Sequence, residues 1–71
     1  MAKWIGGTPE NCDTCGSNII NVFYDAKTEY GAWGHLCPSC HHFGPGIGKL
    51  GSGYGQEYKK QPDGNFVKTA G

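Results

Sequence analysis

Two cysteine pairs are the residues in this chain whose type and spacing point to chemistry. Cys12 and Cys15 stand three positions apart, Cys37 and Cys40 likewise, and 21 residues separate the pairs. A CxxC knuckle lets two thiolates converge on one ion while nearby backbone N–H groups point at the sulfurs. Two such knuckles at the open end of a hairpin complete a tetrahedron. The spacer suits two strands of about seven residues and a turn, and it is one residue longer than the usual ~15–20 of paired CxxC sites. The expected ligands are therefore Cys12, Cys15, Cys37 and Cys40, on one Zn2+ per chain, with iron the less favoured ion. Four thiolates fill the tetrahedron, so His41 and His42, next to Cys40, are expected at the surface or beside the site rather than on the metal.

Other chemistries with similar residues do not fit. Cys37-Pro38-Ser39-Cys40-His41 matches a c-type haem attachment pattern, but that use would leave Cys12 and Cys15 idle. A zinc deaminase requires a proline before its first paired cysteine and an upstream His-x-Glu; Leu36 holds the first position and the second is missing. A catalytic zinc keeps an open coordination position, which four thiolates close. Gly46-Ile47-Gly48-Lys49-Leu50-Gly51 satisfies GxGxxG, yet no βαβ unit surrounds it. No enzyme activity is expected.

The elements that must position the cysteines are short and β-rich. Ile19 to Tyr24 has the β-branched and aromatic composition of a half-buried strand, Asp25 to Thr28 reads as a turn, and Tyr30 to Leu36 reads as the return strand. In that return strand Tyr30, Ala32 and Leu36 share one face, with Trp33 and His35 on the other. From Gly44 to Gly55 half the residues are glycine, which excludes a helix. The segment reads either as a linker or as a backbone lying flat on another surface. Gln56 to Lys60 and Asn65 to Lys68 flank Pro62-Asp63-Gly64, so a terminal hairpin is expected, with Tyr58 and Phe66 or Val67 on one face. A short N-terminal lead, residues 1–11, carries a candidate strand at Lys3-Trp4 and the following residue. The expected fold is a single small metal-bound β domain: a lead over 1–11, a metal ribbon over 12–40, a glycine-rich segment over 44–55 and a hairpin over 56–68.

Size makes the metal decisive. The chain has 71 residues, 13 of them glycine, and 37% hydrophobic residues. A core that small rarely nets more than ~3–5 kcal/mol, whereas a structural zinc contributes about 10–16 kcal/mol at neutral pH. Six lysines balance six carboxylates and arginine is absent, which disfavours a general nucleic-acid binder. Two lysines face four carboxylates over residues 1–48 and four face two over 49–71, a faintly basic C-terminal third. No stretch reads as a membrane span or a secretory signal, so a reducing compartment is the expectation, where paired cysteines hold metal more often than they form disulfides.

Residues 12–40 resemble a zinc ribbon, and Cys12-x2-Cys15-Gly16 with Cys37-Pro38-x-Cys40 also resembles rubredoxin in part. Rubredoxins usually have glycine where His41 stands, a longer spacer and a strongly acidic surface. A further set of residues resembles small zinc-ribbon proteins encoded by tailed bacteriophages. These are Tyr30-Gly31-x-Trp33-Gly34 with the second knuckle, Gly46-Ile47-Gly48-x-Leu50-Gly51-x-Gly53-x-Gly55-Gln56-x-Tyr58, and Asp63-Gly64-x-Phe66-x-Lys68. That resemblance covers residues 24–71 and implies one unit of ribbon, glycine segment and hairpin, in a bacterial host cytoplasm or a virion.

Nine aromatic residues exceed what so small a core buries, so some of Trp4, Trp33, Phe43, Tyr54 and Tyr58 are expected at the surface as interface anchors. The functional expectation is a non-enzymatic, zinc-stabilised module that binds a host or phage protein, such as transcription machinery, a defence component or the capsid. Its contacts would be Trp33, Ile47, Leu50, Tyr54 and Tyr58. The alternatives are a nucleic-acid-binding ribbon using Lys49, Lys59, Lys60 and Lys68 with Tyr54 and Tyr58, and a rubredoxin-like iron electron carrier.

Overall fold

The computed structural model describes residues 3–4 and 9–71. Four strands form one antiparallel sheet: β1 (Val22–Lys27), β2 (Trp33–Leu36), β3 (Gly55–Lys60) and β4 (Phe66–Ala70), in the order β2-β1-β3-β4. One helix, α1 (Pro38–Phe43), follows β2. The chain is thus a small antiparallel β domain with four clustered cysteines. The two expected hairpins are present, and β1 joins them: it pairs with β2 from Tyr24↔Leu36 to Lys27↔Trp33 and with β3 from Val22↔Lys59 to Ala26↔Gly55.

That central position corrects the sequence reading of residues 19–32. Ile20 is 67% exposed and stands outside the sheet, while Asp25, Ala26 and Lys27, expected as a turn, continue β1. Local composition favours a turn there, but hydrogen bonds to strands on both sides keep the backbone extended. Ala26 is fully buried opposite Gly55, where a larger pair would not fit. The chain reverses later, at Thr28, whose N–H and hydroxyl both donate to the Ala32 carbonyl at 2.8 Å. Tyr30 and Ala32 therefore lie in the exposed turn instead of sharing a strand face with Leu36.

Strand alternation divides the sheet into two dissimilar faces. One carries Tyr24, Ala26 and Leu36, which form the main core with Cys12, Cys37 and Cys40, and here α1 packs. The other carries Phe23, fully buried, with Tyr58 stacked beside it at 5.2 Å and Phe66 tilted against it at 5.1 Å. Tyr58 thus shares a face with Phe66, as expected, and Val67 lies on the opposite side. Trp4 stands edge-on over Phe23, His35 and Tyr58, at 5.2, 5.0 and 5.3 Å, and its backbone N–H donates to the Phe66 carbonyl. The expected lead strand falls partly on residues 5–8, outside the described residues; Lys3 does bridge to Val67 of β4.

The glycine-rich segment lies against the chain itself. Thr28 bridges Gly46, the Glu29 N–H donates to the Pro45 carbonyl at 2.7 Å, and the Lys27 N–H donates to the Tyr54 carbonyl at 2.9 Å. The alternating glycines let the backbone follow the end of α1 and the rim of β1 closely. No described helix is long and apolar enough to cross a membrane.

Candidate metal centre

The two cysteine pairs meet where β1 and β2 have their open end. Cys12 and Cys15 precede β1 in a tight turn: the Cys12 N–H donates to the Ser17 carbonyl at 2.8 Å and the Gly16 N–H returns to the Cys12 carbonyl at 2.9 Å. Gly16 takes φ +76° there, a conformation that suits glycine. The turn is tied to β2 by the Asp13 N–H to the His35 carbonyl at 2.9 Å, and by the His35 N–H to Asp13 Oδ2 at 2.8 Å. Cys37 leaves β2 directly after Leu36, and Cys40 follows on the first turn of α1, with Pro38 starting the helix.

All four sulfurs lie within 4.8 Å of one another. Cys12, Cys37 and Cys40 are buried and Cys15 is exposed. Cys15 Sγ and Cys37 Sγ are 3.7 Å apart. That is far beyond a disulfide bond of about 2.05 Å, and it matches the edge, about 3.8 Å, of a tetrahedron with metal–sulfur bonds of about 2.3 Å. The donor set fits a tetrahedral thiolate-bound ion, and the four cysteines are arranged to hold one.

The protonation pattern agrees. Hydrogen bonds from the Ser17 hydroxyl and backbone draw Cys15 down to about 6. Burial opposes ionisation of Cys12, yet backbone hydrogen bonds around Cys15, Cys37 and Thr14 carry it below its ordinary value. Cys37 and Cys40 are pushed up, first by burial and then by the neighbouring sulfurs. Four negative charges in this space cannot coexist until a cation neutralises them, so metal uptake must release protons.

His41, expected at the surface or beside the site, is fully buried. It stacks on Tyr24 at a centroid distance of 4.2 Å and 8° between planes, because α1 turns it onto the core face of β1. Burial pushes its imidazole down, toward the neutral form. His42 remains exposed. Neither belongs to the sulfur cluster.

A second polar element supports this core and had no local sequence signal. Tyr24 Oη donates to Glu57 Oε2 at 2.7 Å, and Thr69 Oγ1 donates to Glu57 Oε1 at 2.8 Å, joining β1, β3 and β4. Burial and the Glu57 carboxylate push the Tyr24 phenol up to about 12, and the Tyr24 bond holds Glu57 below its ordinary value. Glu57 therefore adds stability above the usual carboxylate range, lost as pH falls through its lowered value. Tyr24 adds stability that is complete below about 10 and lost as pH rises toward about 12. Tyr24→Phe is expected to cost about 1.5–3 kcal/mol, as for a bond to a charged group. In an ultraviolet pH titration, the difference between the wild type and Tyr24→Phe should show one phenol ionising near 12; a difference curve centred near 10 would contradict this bond.

The five residues expected to contact a partner are placed separately. Trp33 (48%), Leu50 (37%) and Tyr54 (45%) are exposed, Ile47 is half-buried, and Tyr58 packs into the Phe23 cluster. Lys49 Nζ stands 5.5 Å from the Tyr54 ring centre. Phe43, at 90%, and Tyr30, at 79%, are the most exposed large hydrophobic side chains among the described residues; Tyr30 was missed because it read as a strand residue. No family model, no curated protein and no solved structure matches this chain.

Proposed function

We propose that this chain is a non-catalytic interaction module whose fold is held by one structural zinc ion of the zinc-ribbon type. The observation that carries the reading is the closed set of four sulfurs within 4.8 Å. A closed thiolate tetrahedron suits a structural ion and leaves no position for substrate. Zinc is preferred to iron because His41 follows the second knuckle where rubredoxins usually have glycine, and because the surface is not strongly acidic.

The module reading rests on the exposed side chains that the core does not need. Tyr30, Phe43, Leu50 and Tyr54 lie on the turn, the helix end and the glycine segment, and exposed aromatics are common anchors of protein interfaces. The proposed partner at these residues is a protein, and a phage setting follows from the motif resemblance alone. Elemental analysis and native mass spectrometry test the metal: one zinc per colourless chain is expected, and a red, iron-containing protein would replace this reading with electron transfer.

A further inference from the structure

We propose that Cys15 is an oxidation site: its sulfur reduces hydrogen peroxide, a disulfide to Cys37 follows, and the metal ion is released. This rests on the structural-zinc reading of the centre and adds a chemistry to it. The four sulfurs are not equivalent. Cys12, Cys37 and Cys40 are buried, whereas Cys15 is exposed, and so are residues 13–18 around it. The buried three pack with Tyr24, Ala26 and Leu36 in the main core. The first knuckle therefore offers solvent one ligand of the four.

The reaction balances on sulfur alone. A thiolate, not a thiol, is the nucleophile, and a bound metal keeps its cysteine ligands in that form. Zinc has no redox chemistry of its own. The Cys15 sulfur attacks one peroxide oxygen, the O–O bond breaks, hydroxide leaves, and Cys15 becomes a sulfenic acid. The Cys37 sulfur then attacks the Cys15 sulfur, the S–S bond forms, and a second hydroxide leaves. Two thiolates have given two electrons to one peroxide. Cys12 and Cys40 remain as half a tetrahedron, too few to hold a structural ion.

The geometry selects Cys37 as the second sulfur. Cys37 Sγ is in contact with Cys15 Sγ at 3.7 Å, and closing that gap to about 2.05 Å falls on the exposed turn. Cys12 Sγ instead accepts the Thr14 N–H at 3.4 Å, a bond within its own knuckle. The Ser17 hydroxyl, 3.1 Å from Cys15 Sγ, sets the rate. On a metal-bound thiolate the hydroxyl is the donor, because the sulfur has no proton to give. It draws charge from the sulfur, and nucleophilicity follows sulfur basicity with a slope of about 0.4–0.5.

The test treats the zinc-loaded full chain with hydrogen peroxide beside a chromogenic chelator that reports free zinc. One zinc is expected to appear for each disulfide formed, and dimedone added with the peroxide should label Cys15. Trypsin leaves Cys12 and Cys15 on residues 4–27 and Cys37 and Cys40 on residues 28–49. The expected disulfide therefore joins two peptides, and tandem mass spectrometry assigns its sulfurs. Ser17→Ala keeps all four ligands and should release zinc about threefold faster, as for a tenfold gain in sulfur basicity. Its zinc content and circular dichroism before oxidation show that it is folded, and the peptide map of the wild type does not depend on it. A Cys12–Cys15 disulfide, dimedone on a buried cysteine, a folded Ser17→Ala chain no faster than the wild type, or zinc retained in excess peroxide would overturn the proposal. A chain isolated without zinc would instead overturn the structural-zinc reading, and this proposal with it.

Discussion

Cys37→Ser, or removal of the metal by a chelator, is expected to unfold the whole sheet in one transition. Cys37 stands between the end of β2 and the start of α1, and it is 8% exposed. If the cysteines were only small core residues, serine in this place would cost roughly 1–3 kcal/mol for an unpaired buried hydroxyl, with no sensitivity to chelator. With a structural ion the scale changes. The metal contributes about 10–16 kcal/mol, against ~3–5 kcal/mol from a core of this size, and a hydroxyl is a poor substitute for thiolate on a soft-ligand site. The loss will not stop at residues 12–40, because β1 pairs with β3 as well as β2. Once β1 is released, β3 and β4 remain as an isolated hairpin, which is marginal in water. Circular dichroism and metal content should therefore fall together as chelator is added. A protein that keeps its native spectrum with no bound metal would refute the structural role.

The parts of this architecture set by short-range signals were legible. Cysteine spacing placed the four sulfurs together, and Pro62-Asp63-Gly64 placed the β3–β4 turn, where the Asn65 N–H donates to Asp63 Oδ1. Features created by pairing between distant segments were not legible. Nothing local in Asp25-Ala26-Lys27 shows that β3, some thirty residues later, will lie beside it. Gly55 opposite Ala26 and Glu57 beneath Tyr24 acquire meaning only in that register. The burial of His41 was not legible for the same reason, since nothing local shows that α1 will lay it on Tyr24.

The late pairing of β3 with β1 also explains why the metal end and the glycine segment belong to one cooperative unit. The segment must carry the chain from α1, over the β1–β2 turn, to the far side of β1. It does so through Pro45 and Gly46, bonded to Glu29 and bridged to Thr28, and through Tyr54, bonded to Lys27. A disordered linker would leave the order of strands to chance; a docked one fixes which edge of β1 receives β3.

Gly46→Ala is expected to be the most damaging alanine substitution within the glycine-rich segment before β3. A Cβ there would lie 2.5 Å from His41 Cα, 2.7 Å from the Cys40 carbonyl oxygen and 2.8 Å from the His41 carbonyl oxygen. All three are backbone atoms, so no side chain can swing aside. The Gly46 N–H also donates to the Cys40 carbonyl at 2.9 Å, so retreat would break that bond. Nor can α1 yield, since Cys40 is one of the four clustered ligands and His41 is fully buried on Tyr24. Overpacking costs about 1–3 kcal/mol and occasionally more, and a backbone that cannot relax puts this site at the upper end; in a domain of this size each kcal/mol lowers Tm by roughly 4–8 °C. Gly53→Ala provides the contrast. Gly53 has φ +83° with open space around it, so alanine there meets only the left-handed backbone penalty of about 1–2 kcal/mol. Thermal unfolding of the zinc-loaded variants should therefore rank Gly46→Ala well below Gly53→Ala. If Gly46→Ala melts with the wild type, the segment is a linker after all, and its contacts with α1 and β1 do not hold the sheet together.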